Sequence, residues 1–226
     1  MSRRTYLLIL GGLFVAWSAF LAIRPYNRSD WALENALVVV AVILIAATYR
    51  KAPLSRVSYT LIFLFLCLHE VGAHYTYAVT PYDEWFQRWL GFSLNGLFGL
   101  QRNHFDRLAH FLFGLMLAYP VRELFIRVTD TKGFWSYFLP LVFMIALSAI
   151  YELLEWTAAL VFGGDLGIAF LGTQGDEWDA HKDMALAILG AALAISLTAL
   201  LNARLKRDYA REWNERLRAQ GVIKTG

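Results

Sequence analysis

Apolar and polar residues alternate along the chain in long blocks rather than with the short periods of a soluble domain. Six apolar stretches contain close to the roughly 20 residues that a helix needs to cross the hydrocarbon core of a bilayer. Their predicted bounds are 6–23, 31–49, 59–79, 105–125, 134–162 and 183–202. The stretches are too long for the strands of a membrane barrel. The pattern therefore predicts an all-α, polytopic membrane bundle of about six transmembrane helices.

Composition supports a membrane protein. Of the 226 residues, 58% are hydrophobic and 17% are charged, whereas soluble domains contain about 45–50% apolar and about 25% charged residues. The balance excludes a disordered chain, a coiled coil and a nucleic-acid-binding module. A single cysteine, Cys67, excludes an intrachain disulfide and a cysteine-based metal site. The first apolar stretch is longer than the usual core of a signal peptide and no clear cleavage site follows it, so we interpret it as an uncleaved helix.

The distribution of charge predicts an orientation. With both termini in the cytoplasm, fifteen of the 21 Lys and Arg residues lie on the inner side, as the positive-inside rule requires. All five histidines and thirteen of the 18 acidic residues then lie outside or in the outer half of a span. We expect a six-helix transmembrane domain over 1–203 and a basic cytoplasmic tail over 204–226.

Four of the predicted helices each carry two titratable residues three or four positions apart, a spacing that places both on one helix face. The pairs are Glu70 and His74, Asp106 and His110, Glu152 and Glu155, and Asp179 and Asp183, with His69 preceding the first pair. An ionised group at the bilayer centre costs roughly 2.5–3.5 kcal/mol. Although these groups lie shallower, we expect the pairs to face one another inside the bundle, in a pocket open to the periplasm.

Carboxylates gathered in this way repel one another unless protons, basic partners or a metal ion compensate them, and all three arrangements are open. A proton or ion relay is the first. A structural ion-pair network with Arg102, Arg107 and Lys182 is the second. In the third, a divalent metal binds ligands drawn from His69, Glu70, His74, Asp106, His110, Glu152, Glu155, Asp179 and Asp183. Oxygen and imidazole ligands without a thiolate suit zinc, manganese or iron.

Three functions follow from these arrangements. In a metal-dependent enzyme, the metal activates water or polarises a phosphoryl or carbonyl oxygen, with His110 or Glu155 as general base. Its substrate is expected to be amphiphilic, an envelope lipid or lipid-linked phosphate, because the pocket opens beside the aromatic-rich segment 80–103, which acts as a lid or as packing. The alternatives are a proton- or ion-coupled transporter or channel, and a structural or accessory membrane protein. Membrane lipids are expected partners in each case, and the oligomeric state is open.

Four motifs in order carry a resemblance to a known family. They are His-Glu-x-x-x-His-Tyr from His69, Asn-His-Phe-Asp-Arg-x-x-His-Phe from Asn103, Tyr-Glu-x-x-Glu-Trp from Tyr151, and Gly-x-Gln-Gly-Asp-x-x-Asp-x-x-x-Asp-Met from Gly172. With these motifs the sequence resembles the YjdF-type bacterial inner-membrane proteins over nearly its whole length. The resemblance implies a multi-pass protein of the bacterial inner membrane, and it implies no function because the family is uncharacterised.

A partial resemblance extends to VanZ-like proteins, a family linked to glycopeptide-antibiotic resistance. It rests on an Asp-x-x-x-His-Phe helix start, a central Glu motif and an Asp motif that opens the last helix. These correspond here to Asp106, His110 and Phe111, to Glu152 and Glu155, and to Asp179 and Asp183. The first helices and the motif at His69 lie outside this likeness, which implies envelope or lipid-linked substrates.

Overall fold

The protein is a bundle of helices in a computed structural model that describes residues 1–164, 171 and 173–223. Within these residues it contains nine helices and no strand: α1 Arg3–Leu21, α2 Arg28–Thr48, α3 Arg56–His74, α4 Tyr82–Leu90, α5 Leu94–Phe98, α6 Phe105–Thr129, α7 Trp135–Phe162, α8 Asp179–Leu205 and α9 Tyr209–Ala219. The predicted all-α class is confirmed.

Five helices of the described chain are long and apolar enough to cross a membrane, namely α1, α2, α3, α7 and α8. The remaining predicted span corresponds to α6, which has charged residues near both ends and the buried ion-pairing residue Arg122 close to its C-terminus. Helix α6 packs against α8, α3 and α7. Because three neighbours cover it, the polar residues of α6 contact protein.

Helices α6 and α8 approach each other closely at two glycines. A Cβ atom on Gly114 would overlap the backbone of Ala187, and one on Gly190 would overlap the backbone of Phe111. Small residues at such crossings let the backbones of membrane helices come into contact. The crossing fixes α6 against α8. The N-termini of both helices lie at the same end of the bundle, where Arg107 of α6 pairs with Asp179 of α8.

We call this end the acidic end, because the paired Asp, Glu and His residues gather there. At the opposite, basic end, the fully buried guanidinium of Arg122 pairs with Asp208, at 3.0 Å from Oδ1 and 2.5 Å from Oδ2. The fully buried carboxylate of Glu123 accepts hydrogen bonds from the Ser58 hydroxyl and the Ser55 amide. The start of α9 and the start of α3 therefore both dock against the C-terminal part of α6.

The third predicted span is shorter than expected, because α3 ends at His74 rather than near residue 79. Thr76 and Tyr77 both adopt left-handed backbone conformations, with φ of 55° and 52°, and such values end a right-handed helix. The Tyr77 amide then donates to the Gly72 carbonyl at 2.8 Å. A side chain on Gly72 would overlap the Tyr77 ring. The turn therefore folds Tyr77 back against α3, beside His69.

The segment between α3 and α6 contains the short helices α4 and α5, which are tied together by Asp83. Its carboxylate accepts hydrogen bonds from the Ser93 hydroxyl at 2.7 Å and the Asn95 amide at 2.9 Å. The Asn95 amide, followed by the Ser93 hydroxyl, lowers the pKa of Asp83 below its usual range. Tyr82 is buried, whereas Trp89, Leu97 and other apolar side chains remain exposed. One side of the segment is thus packed against the bundle, and the other side exposes apolar side chains.

Candidate functional site

Four titratable side chains from three helices converge at the acidic end. We call Asp106 and His110 of α6, Glu152 of α7 and Asp183 of α8 the α6–α8 cluster. The Nε2 atom of His110 lies 3.6 Å from Asp106 Oδ1 and 3.5 Å from Glu152 Oε1. Asp106, His110 and Asp183 each offer one ligand atom, and the three atoms lie within 4.8 Å of one another.

Sequence spacing and helix packing together produce this convergence. Asp106 and His110 are one helical turn apart, so they share a face of α6. The glycine crossing described above presses that face against α8 at the level of Asp183, while α7 packs on both α6 and α8 and contributes Glu152. The Asp183 residue is 2% exposed. The cluster is therefore a shielded group of three carboxylates around one imidazole.

The basic residues near this cluster are engaged elsewhere. Arg102 lies 2.5 Å from Asp179 Oδ1, Arg107 lies 2.5 Å from Asp176 Oδ2 and 3.0 Å from Asp179 Oδ1, and Lys182 lies 2.6 Å from Asp176 Oδ2. Arg102 also donates to the Thr173 carbonyl. An ion-pair network that contains Arg102, Arg107 and Lys182 was one of the three arrangements that the sequence allowed, and the structure contains such a network. It joins the segment before α8 to the start of α6 through Asp176 and Asp179.

Two oxygens of the α6–α8 cluster have no hydrogen-bond partner in the part of the chain that the structure describes. They are Glu152 Oε1 and Asp183 Oδ1, both shielded from solvent. Within the same described residues, no Lys or Arg side chain forms a salt bridge with any member of the cluster, and His110 is its one basic group. Buried carboxylate oxygens in this state require a proton or a cation.

Asp179, another predicted ligand, takes part in the ion-pair network instead of the cluster, although it is one turn from Asp183 on α8. The acidic partner that shares its arginines is Asp176, whose pKa is held well below its usual range by a hydrogen bond from Lys182 and by the Trp178 amide. Desolvation, and then the charges of Arg107 and Arg102, lower the pKa of the neighbouring His104. Negative charge in this network is thus already neutralised by protein groups.

His69 belongs to a second polar group that also contains Tyr77 and Glu34. The Tyr77 hydroxyl lies 2.5 Å from His69 Nδ1, while His69 Nε2 lies 3.3 Å from the Glu34 carbonyl oxygen and 3.9 Å from Glu34 Oε2. A carbonyl only accepts, so this geometry fits the tautomer with the proton on Nε2. Glu34 is 3% exposed.

Glu34 is a buried acid that the sequence analysis did not include among the candidate ligands. It stands four positions after Asp30, which is also buried, so the two form a fifth pair on one helix face. The same spacing that singled out the other four pairs was therefore present in α2.

Glu70 and His74 share a face of α3, as predicted, but that face is turned toward α1. The Ser18 hydroxyl donates to Glu70 Oε1 at 3.0 Å, and His74 Nδ1 donates to the Leu21 carbonyl at 2.6 Å. These two predicted ligands therefore anchor α1 rather than join the α6–α8 cluster. Glu155 is buried on α7, nearly one turn beyond Glu152, and lies outside the three converging ligand atoms.

A cavity of about 380 Å³ begins at these polar groups and continues between α2, α3, α6 and α7. We call it the chamber. Its polar wall consists of His69, Tyr77, Asp106, His110 and Tyr151, and most of the remaining wall is apolar. The chamber joins the α6–α8 cluster to the group around His69.

Several bilayer-length helices, and a shielded group of acids and histidines between them, define a multi-pass helical membrane protein. The chain belongs to the family described as "Predicted membrane protein (DUF2238)", whose model matches residues 6–204. It is 39% identical over 191 residues to inner membrane protein YjdF of Escherichia coli (strain K12), with 84% of this chain and 87% of that protein covered. No solved structure matches the chain. The family resemblance and the inner-membrane location are confirmed.

Proposed function

We propose that this protein is a metal-dependent enzyme whose substrate is an envelope lipid or lipid-linked phosphate. The observation that carries the proposal is the convergence of Asp106, His110 and Asp183 within 4.8 Å. Neighbouring arginines do not neutralise this group, because they pair with Asp176 and Asp179. Two carboxylates and one imidazole suit zinc, manganese or iron.

The donor set resembles a catalytic rather than a structural metal site. Three protein ligands leave a coordination position free, whereas structural sites are normally closed by four. A divalent cation held there supplies Lewis acidity toward a phosphoryl or carbonyl oxygen and makes a coordinated water more acidic. Glu152, 3.5 Å from His110, lies beside the ligands.

The role of general base falls to Glu155 in this arrangement. His110 faces Asp106 and Glu152 with Nε2, and a nitrogen that binds a cation has no free lone pair to accept a proton. Glu155 is 7% exposed and lies on the same helix as Glu152. A carboxylate shielded in this way can take a proton from water near neutral pH.

We place the site on the periplasmic side, with both termini in the cytoplasm. The basic excess near the inner loops supports this orientation. So does the fold, since the N-terminus of α3, the C-terminus of α6 and helix α9 meet at the basic end, opposite the α6–α8 cluster.

Metal analysis of protein purified without chelator tests the proposal, with the chain as isolated and after loading with zinc, manganese or iron. We expect about one equivalent per chain and its loss in an Asp106→Ala/His110→Ala variant. A Glu70→Gln/His74→Ala variant is the matched control, because it alters an acid and a histidine with the same spacing that face α1. Absence of metal from folded wild-type protein, or equal loss in both variants, refutes the metal site.

An activity screen follows on the loaded protein in detergent. Phosphate release from phosphatidate and from a polyprenyl phosphate is the readout. We expect release that depends on the metal and is abolished by Glu155→Gln, with metal content unchanged. If the protein binds metal but releases no phosphate from either lipid, the proposed enzymatic activity is refuted and the metal site has another role.

A further inference from the structure

The chamber has a polar end and an apolar body, and the two are continuous. Its lining along α2 extends from Leu37 to Ile45, which at 1.5 Å per residue corresponds to about 12 Å along the helix axis. The lining along α6 extends from Asp106 and His110 to Leu117. The body of the chamber therefore reaches about two helical turns into the apolar part of the bundle.

One wall of the chamber is loosely held. The first part of α2 is anchored by the buried side chains of Asp30, Glu34 and Val38. Beyond Val38 the helix is largely uncovered, and Ile43 is 59% exposed while Leu44, which lines the chamber, is 58% exposed. Helix α2 packs mainly on α3. In a membrane the chamber is thus bordered by lipid beside α2.

The apolar body of the chamber does not suit water. A stable buried water needs two to four polar partners, and below the polar wall the lining offers the hydroxyl of Ser148 among aliphatic and aromatic side chains. Ser148 is 1% exposed, and its hydroxyl has no hydrogen-bond partner among the described residues. The volume lies in the range of ligand cavities, about 300–1,000 Å³.

We infer that the chamber binds one hydrocarbon chain of the lipid substrate, which enters from the bilayer beside α2. The inference rests on the proposed function for the identity of the lipid head group, which we take to be a phosphate. Asp106 and His110 would hold the cation, and the cation would bind this phosphate. The carboxylates alone would repel an anionic head group. Binding of the lipid would therefore need both its hydrocarbon chain in the chamber and the cation at the head group. A lipid with a long chain and a compact anionic head fits both ends of the chamber.

Photolabelling tests this inference with the full chain in vesicles of phosphatidylcholine. The probe is phosphatidate with a diazirine in its acyl chain, and mass spectrometry locates and quantifies the adducts. We expect adducts on the chamber lining, including Leu37, Ala41 and Leu147. Ala41→Trp fills the chamber and should reduce these adducts about tenfold, since an overfilled cavity is costly to occupy.

Val40→Trp is the matched control, because Val40 is the adjacent residue on α2, is 53% exposed and does not line the chamber. It should leave the labelling of the chamber unchanged. A second filling variant, Leu117→Trp on α6, serves if Ala41→Trp does not yield a monodisperse protein. Equal labelling in the filling and control variants, or adducts confined to lipid-facing side chains, would overturn the inference.

Metal content measured on the same samples separates the two proposals. Metal retained in both tryptophan variants, with labelling lost in Ala41→Trp, supports both. Metal retained with labelling unaffected refutes the chamber and leaves the metal site intact. Chamber labelling that is lost in Ala41→Trp but is unchanged by Asp106→Ala/His110→Ala supports a chain-binding chamber while contradicting the metal-held head.

Discussion

The Nε2 atom of His110 lies 3.5 Å from Oε1 of Glu152, and this approach joins the central helix α6 to α7 at the acidic end. The same nitrogen lies 3.6 Å from Asp106 one turn earlier on α6. An imidazole between two carboxylates is an arrangement that can hold a proton or help to hold a cation. The nearby acids Asp176 and Asp179 are paired with arginines. The carboxylates of the α6–α8 cluster have no such partner among the described residues, so they are the acids at this end that can bind a proton or a cation.

Asp179 and Asp183 lie on adjacent turns of α8, and we expect their removal to have different effects on zinc affinity. We expect Asp183→Asn to weaken zinc binding by at least the roughly 10–100-fold that loss of an outer-shell partner costs. Asp179→Asn should leave zinc affinity nearly unchanged, since Asp179 is bound to Arg102 and Arg107. Competition with a chromophoric chelator in detergent measures both constants. Similar losses in the two variants would mean that Asp179 also binds the metal.

The glycine crossing should control both stability and the site. We expect Gly114→Ala to destabilise the protein by about 1–3 kcal/mol or more, as overpacking typically does, because the new Cβ overlaps the Ala187 backbone. It should also lower zinc affinity by moving α6 away from α8. Gly12→Ala on α1, where a Cβ meets no atom within 4 Å, is the control. Thermal unfolding followed by tryptophan fluorescence provides the comparison, and equal melting temperatures would contradict the proposed crossing.

The segment before α8 should lose stability in acid in a defined pH range. The folded pKa of Asp176 is depressed, chiefly by the hydrogen bond from Lys182 and by the Trp178 amide. Its contribution is therefore present above the unfolded pKa of about 3.9 and is lost as the pH falls through the folded value. We expect Asp176→Asn to lower the melting temperature at pH 7 by an amount that stays constant to about pH 5 and shrinks below about pH 4.

Glu177→Gln is the control for that experiment, since Glu177 is exposed and adjacent. It should leave the melting temperature unchanged over the same range. A difference between wild type and Asp176→Asn that grows as the pH falls would contradict the assigned ion pairs.

Orientation can be read from single cysteines in a Cys67→Ala background. Gln174 lies exposed at the acidic end and Gln220 lies exposed just after α9. With the site in the periplasm, a membrane-impermeant maleimide should label Gln174→Cys in cells with a permeabilised outer membrane, and Gln220→Cys only after lysis. The reverse pattern would place the site in the cytoplasm.

Local sequence features sufficed to identify the long helices and the titratable side chains that share a helix face. Apolar length predicted all the long helices, since a helix in lipid must satisfy its backbone internally. The third span was predicted too long because four of the five residues 75–79 are apolar or aromatic. The left-handed turn at Thr76 and Tyr77 that ends the helix depends on the room left by Gly72.

The sequence by itself identified four acid or acid–histidine pairs, because a period of 3.6 residues places positions three or four apart together. Tertiary structure alone decided which pairs meet. Glu70 and His74 have the same spacing as Asp106 and His110, yet α3 turns them toward α1. Asp179 is one turn from Asp183, yet two arginines hold it. Helix periodicity is a local property of the backbone, whereas the rotation of each helix about its axis is set by contacts distant in sequence, such as the crossing at Gly114 and Gly190.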